Sequence, residues 1–240
     1  MKNERGFGLV GFLVLIPLIL SIVATVSAVT LAFKANAHLK HECRVSVLNS
    51  QRDAADKLKQ LMRMNHEAEI LRLQYQVARA ALKAAQASGY VPAIAAAQSA
   101  YGIVQFRRHV FSAQQNALII RGKAISYAAP LHARGAVMSG LQQEVHANKV
   151  TPPSTRTSWR PGKFNVKATP EGDLTPDYNP ADSFTKDQIV DVDVIVDAAS
   201  LLPEWLRKML PEGKLQISSH CQATIEKQES EWVETLNAVR

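Results

Sequence analysis

The chain has 240 residues, of which 47% are hydrophobic and 20% charged, with a formal net charge of +7 and only two cysteines. The positive charge is scattered and has no helix-turn-helix, zinc or aromatic-basic motif beside it, which argues against nucleic acid as a partner and for plain solubility or an anionic surface such as lipid headgroups. Cys43 and Cys221 lie far apart, with no histidine at zinc-ligand spacing from either, which excludes a C-x-x-C redox pair and a zinc site.

Met1 to Arg5 (MKNER) form a short charged leader, and Gly6 to Phe33 follow without a single charged residue. Only Ser21, Thr25, Ser27 and Thr30 carry polar side chains in that run. Its 28 positions make a helix of about 42 Å at about 1.5 Å per residue, longer than a hydrocarbon core of about 30 Å. A buried core helix of a soluble domain would need a polar face, and none exists here. The run is about twice the length of a signal-peptide apolar region, so it is expected to remain as a membrane anchor. Pro17 removes one backbone donor from this helix, and Gly8 and Gly11 offer a small-residue face for another helix.

The order of residues from Gly6 onward resembles a type IV prepilin signal. In TadE/TadG-like minor pseudopilins of tight-adherence (Flp) pili and related secretion machines, the glycine is followed at the fifth residue by Glu and at the sixth by Phe. A run ending in Leu-Pro-Leu comes next. This chain holds Gly11, Phe12 and Ile16-Pro17-Leu18 at those places. The resemblance covers the first 35 residues and, more loosely, the terminal strand-helix-strand. It implies cleavage after Gly6 by a prepilin peptidase, leaving Phe7 as the first mature residue. It also implies assembly with other pilins and pseudopilins and with an inner-membrane platform, through a helix bearing Gly8, Gly11, Phe12 and Pro17. The implied location is the bacterial inner membrane, single-pass, with the C-terminal domain in the periplasm or on the cell surface as part of a pilus. The family glutamate is thought to pair with the free amine of a neighbouring subunit. Gly11 cannot supply that carboxylate, so the implied role is a tip or initiating subunit, or one that stays in the membrane.

Beyond the anchor, Ala35 to Ser88 contains neither proline nor glycine and is rich in good helix formers. A stripe runs Ala54, Leu58, Leu61, Met64, Ala68, Leu71, Tyr75, Ala78, Leu82, Ala85, in steps of three or four residues, as a helix packed along one side requires. The helix should stop near Ser88-Gly89, with Pro92 entering the first turn of the next. A second helical pattern from Tyr90 to about Ala129 includes Ile94, Ala97, Tyr101, Val104, Phe111, Leu118 and Ile125, and the short turn predicts an antiparallel hairpin. Pro130 is expected to kink or end that helix, with a further piece over 133–147.

Six prolines in a Thr/Ser/Asp/Gly-rich run from Thr151 to Phe184 predict a loop. Its aromatics Trp159, Phe164 and Tyr178 look exposed; they either pin the loop to its own domain or contact a partner or carbohydrate. Strict alternation then marks a strand over 189–197, with Val190, Val192, Val194 and Val196 on one face and Asp191, Asp193 and Asp197 on the other. A second strand fits 214–226, with Leu215, Ile217, Cys221, Ala223 and Ile225 sharing parity. Residues 198–210 between them read as a short amphipathic helix.

Placed outside the cytoplasm, two cysteines read as one disulfide; two unrelated buried thiols are the alternative. A Cys43–Cys221 bridge would close a loop of 177 intervening residues and stabilise by about 4–5 kcal/mol in the chain-entropy model. Nucleophile-elbow, Walker, dinucleotide and zincin motifs are all missing from the sequence, so no catalytic residue, cofactor or metal is expected. The three aspartates of the first strand could approach a divalent cation but read as a solvated face.

The expected fold class is α+β: a transmembrane helix continuing into a long helical stem and hairpin, capped by a small C-terminal sheet. The expected segments are a leader (1–6), an anchor (7–33), a stem (34–150), a proline-rich loop (151–185) and a small α/β cap (186–240). The expected function is structural, as a minor pseudopilin. The alternative is an uncleaved signal-anchored envelope protein with a coiled-coil or partner-binding periplasmic domain.

Overall fold

The computed structural model describes residues 4–148, 155–169, 175–197, 208, 216–229 and 231–236. Two long helices come first, α1 (Glu4–Ser88) and α2 (Val91–Asn148). The strands β1 (Thr155–Arg160), β2 (Val166–Thr169) and β3 (Asp177–Pro180), the short helix α3 (Phe184–Asp187), and the strands β4 (Val190–Asp197), β5 (Gln216–Gln228) and β6 (Glu231–Leu236) follow. The result is a mostly helical α+β chain. It packs as two compact units, one of Met1–Cys43, Arg134–Ser158 and Asp193–His220, the other of Arg44–Ala133, Trp159–Val192 and Cys221–Arg240.

The unbroken run of helix formers carries α1 to Ser88, where Gly89 turns with φ +67°, a left-handed conformation that glycine adopts without a Cβ clash. The Ser88 hydroxyl donates to the Ala85 carbonyl at 2.7 Å and accepts from the Tyr90 amide at 3.3 Å, closing the end. Two residues later α2 begins, with Pro92 in its first turn as expected. Within the second unit the helices are antiparallel neighbours. Leu71 packs with Phe111, and the Tyr75 and Tyr101 hydroxyls lie 2.9 Å apart. Of the α1 stripe, Ala54, Leu58, Leu61, Ala68, Leu71 and Tyr75 are buried and the remainder half-buried.

Of the kink or end expected at Pro130, the end is corrected: α2 runs through it to Asn148. Proline at this position removes the N–H that would bond the Ser126 carbonyl. Ala129, Pro130 and Ala133 are all buried, so tertiary packing holds the helix where local propensity would end it.

The main core of the second unit gathers Ala54, Ala55 and Leu58 from α1, Phe164, Phe184 from α3 and Ile225 from β5. Phe164 meets Phe184 edge-on at 5.8 Å between centroids, and Phe184 meets Trp232 of β6 in the same manner at 5.5 Å. Phe164 reaches this core because Gly122 of α2 leaves room for it; a Cβ there would stand 2.7 Å from the ring.

The 151–185 stretch, expected as a loop, contains three strands and the start of α3 among its described residues. β2 and β3 pair antiparallel, Val166 opposite Pro180 and Thr169 opposite Asp177. Polar side chains on the helices hold this hairpin by its backbone. Asn65 donates to the Tyr178 carbonyl and accepts from the Tyr178 amide, both at 2.9 Å. Arg72 donates to the Asp177 carboxylate at 2.8 Å, and Gln115 to the Pro176 carbonyl at 3.1 Å. Deeper in, the Gln188 amide donates to Gln51 at 3.0 Å and to the Ser126 hydroxyl at 2.7 Å, with all three side chains fully buried. Of the three aromatics that looked exposed, Phe164 is core, Tyr178 half-buried and Trp159 exposed, so pinning the segment to its own domain is the role Phe164 takes.

β4 matches its alternation: Val190, Val192, Val194 and Val196 are buried while Asp191, Asp193 and Asp197 are half-buried. The four-stranded sheet has the order β1-β4-β5-β6, with β5 and β6 antiparallel in a register that sets Ile225 opposite Glu234 and Lys227 opposite Trp232. The sheet thus has twice the expected number of strands. The amphipathic helix expected over 198–210 lies outside the described residues, apart from Lys208.

Asp187 ends α3 and accepts from the Ser183 hydroxyl and the Asn165 amide, each at 2.8 Å. The Ser183 bond first, then Asn165, hold its carboxyl below the usual carboxylate range, with Lys163 adding a favourable charge. A depressed folded pKa contributes stability that is present above the unfolded pKa and lost as pH falls through the folded value. Asp187→Asn is therefore expected to lower the melting temperature at neutral pH and to narrow its gap from wild type once the pH drops well below about 4. Thermal melts across that range check the result.

Candidate functional site

The pattern of burial along α1 changes abruptly at Ala35. From Leu15 to Phe33 the described side chains are exposed apart from the half-buried Ala24 and Ala32: Leu20 is 62% exposed, Val26 60% and Phe33 69%. From Ala35 onward every fourth position is buried, through Leu39, Cys43 and Val47. One helix face therefore meets protein after Ala35, whereas from Leu15 to Phe33 no described side chain is buried. This is the one helix among the described residues that is long and apolar enough to cross a membrane.

The polar side chains of the segment do not oppose that environment. The Thr25 hydroxyl donates to the Ser21 carbonyl and the Thr30 hydroxyl to the Val26 carbonyl, each at 2.7 Å. A hydroxyl satisfied by its own helix enters hydrocarbon at far lower cost than a free one. Each fully covered Leu, Ile, Val or Phe contributes about 1.5–3 kcal/mol, so the uncovered surface is a strong drive toward lipid or another apolar helix. Gly6, Phe7, Gly8, Gly11 and Phe12 lie on α1 ahead of this stretch, and Pro17 lies inside it. The side chains of residues 1–14 lie outside the described residues.

Where α1 becomes one-sided, the first unit packs α2 closely against it. A Cβ on Gly140 would stand 2.7 Å from the His38 ring, so a larger residue there would have to displace that ring. His38, which the sequence places with His41 at the membrane exit, is accordingly half-buried, while His41 is exposed. Neither cysteine is free: Cys43 and Cys221 are both disulfide-bonded and almost fully buried, and the chain has no third cysteine. The disulfide expected from an even pair is present.

A polar cluster in the first unit was not legible as a set. Asp193 of β4 pairs with the His220 ring, and its other oxygen accepts from the Ser158 hydroxyl at 3.4 Å. The serine therefore addresses the carboxylate and not the imidazole, so this trio lacks the nucleophile–base contact of hydrolytic sites. Asp193 is engaged by the His220 ring, where the sequence suggested a solvated face. The three residues come from three strands, and no local spacing signals their meeting.

No protein-family model matches this chain, and no curated protein or solved structure matches it.

Proposed function

We propose that this chain is a minor pseudopilin of a tight-adherence type pilus or a related secretion apparatus, held in the bacterial inner membrane by its N-terminal helix. The observation that carries the reading is the uncovered apolar stretch of α1, which follows a short charged leader ending at Gly6-Phe7 and becomes one-sided at Ala35. In this role the helix exchanges lipid for neighbouring pilin helices. Association there depends on close packing of small residues and not on a hydrophobic gain, since lipid is as apolar as the partner. Gly8 and Gly11 supply such a face. Gly11 also leaves the helix without the family carboxylate, which suits a subunit that starts or caps a filament. The disulfide fits an oxidising compartment for the part beyond the anchor.

The test is the intact mass of the protein purified from membranes of a host that carries a prepilin peptidase. The expected result is loss of Met1 to Gly6, leaving Phe7 at the N-terminus. Retention of the leader overturns the reading in favour of an uncleaved signal-anchored envelope protein.

A further inference from the structure

We infer that a cleft between α2 and the segment leading into β2 binds an acidic sugar unit, a ring that carries a carboxylate and several hydroxyls. The cleft lies within the second unit, has a volume of about 420 Å³, and is lined by Lys123 and Tyr127 of α2 and by Gly162, Lys163, Phe164 and Asn165. That volume is in the usual range of small-ligand sites, about 300–1,000 Å³. Its walls are fixed by packing. Phe164 is held against Gly122, and a Cβ on Gly162 would stand 2.9 Å from the Gln188 carbonyl oxygen. The Lys163 amide donates to the Asp187 carbonyl at 2.7 Å.

The chemistry of the lining selects the ligand. Neither stretch that forms the cleft carries an aspartate or glutamate: there is none over 91–143 and none over 159–169, whereas Arg121, Lys123, Arg160, Lys163 and Lys167 are cationic. Among the described residues neither Lys123 nor Lys163 forms an ion pair. Asp187, whose charge Lys163 feels, already accepts from Ser183 and Asn165. Two ammonium groups on one cleft, with no acid beside them, attract an anion. Asn165 narrows the choice. Its Nδ2 donates to the Asp187 carboxylate at 2.8 Å, which leaves its Oδ1 as an acceptor that no described residue engages. An acceptor calls for a hydroxyl on the ligand, and the ionised side chains of an acidic peptide do not offer one. Tyr127 adds a flat apolar surface: its ring is 69% exposed and stands one helical turn after Lys123, on the same side of α2. The C–H face of a sugar ring stacks on such a surface.

The test is calorimetric titration of the full oxidised chain in detergent with oligogalacturonate, with hexaglutamate, a neutral maltooligosaccharide and glycerol phosphate as comparison ligands. Oligogalacturonate is expected to bind at least tenfold more tightly than any of the three and to weaken as salt is raised. Lys123→Gln, Lys163→Gln and Tyr127→Ala should each reduce that affinity at least fivefold with the melting temperature unchanged, since all three side chains are exposed. Tyr127→Phe keeps the ring and should stay within twofold. Lys83→Gln removes an exposed cation that does not line the cleft and should have no effect. Absence of binding at millimolar oligogalacturonate overturns the inference. Equal binding of hexaglutamate overturns it in favour of an acidic peptide, equal binding of glycerol phosphate in favour of a lipid headgroup, and equal binding of the neutral glycan removes the role of the lysines. A loss with Lys83→Gln as large as with Lys123→Gln also overturns it, because net charge alone would then explain the binding. None of these outcomes reads leader processing, so the sugar site and the pilin role can fail separately.

Discussion

Phe164→Ala is expected to lower the unfolding free energy by about 3–5 kcal/mol, the range for removing a fully buried aromatic. The ring is 2% exposed and touches the Phe184 edge, so truncation removes both the transfer gain and the aromatic pair and leaves a cavity under α2. Because Phe164, with Phe184, is one of the two fully buried aromatics by which the 151–185 segment enters the core, the loss should spread to β2 and β3, seen as faster amide exchange there. Trp159→Ala is the control: this ring is 46% exposed and its loss should stay within about 0.5 kcal/mol. Gly122→Ala probes the same contact from the other side. Its new methyl would stand 2.7 Å from the Phe164 ring, an overpacking that costs about 1–3 kcal/mol. Combining it with Phe164→Leu should cost less than the sum of the two, because the smaller side chain vacates the space the methyl needs. Denaturant titration of these variants, with Phe164→Leu alone as the second single, checks these values.

The parts of this fold that sequence discloses are those governed by periodicity. The α1 stripe and the Val/Asp alternation of β4 are visible because helix and strand geometry sort neighbouring residues by face, whatever they later contact. The end of α1 is visible because Gly89 adopts a conformation other residues avoid. The rest depends on distant partners. Pro130 reads as a break, and only burial of its neighbours shows why the helix continues. Residues 155–169 and 175–180 read as loop because prolines punctuate them; the stretch 176–178 is held by Asn65, Arg72 and Gln115, which lie far away on the helices, and β2 is ordered by pairing with β3. β6 was hidden for a third reason. Its turn uses Glu229 at φ 53°, where the familiar hairpin signal is Asn-Gly or Gly, and its sequence EWVETL lacks a clean alternation. At the candidate site the long apolar segment was legible from composition alone, and the disulfide from the even count of cysteines. The Asp193–His220 pair was not, because sheet register brings its members together.

Removing the disulfide is expected to have the largest effect of any single covalent change. Cross-linking Cys43 to Cys221 spans 177 residues, and the chain-entropy model assigns that constraint about 5 kcal/mol, comparable with the whole stability of many domains. Cys43→Ala with Cys221→Ala isolates the bond, since alanine leaves no buried hydroxyl to satisfy at positions that are 0% and 1% exposed. The unfolding midpoint of the double variant should match that of the reduced wild type and lie well below that of the oxidised protein. Single substitutions should be no milder, because each leaves a lone buried thiol and no constraint. Non-reducing gels supply the first check: the oxidised chain should migrate faster than the reduced one, and the double variant should show one mobility in both. Two titratable thiols in protein taken from the envelope would overturn the expectation. They would also count against placing residues beyond Phe33 outside the cytoplasm, because a reducing compartment is what keeps such a pair apart.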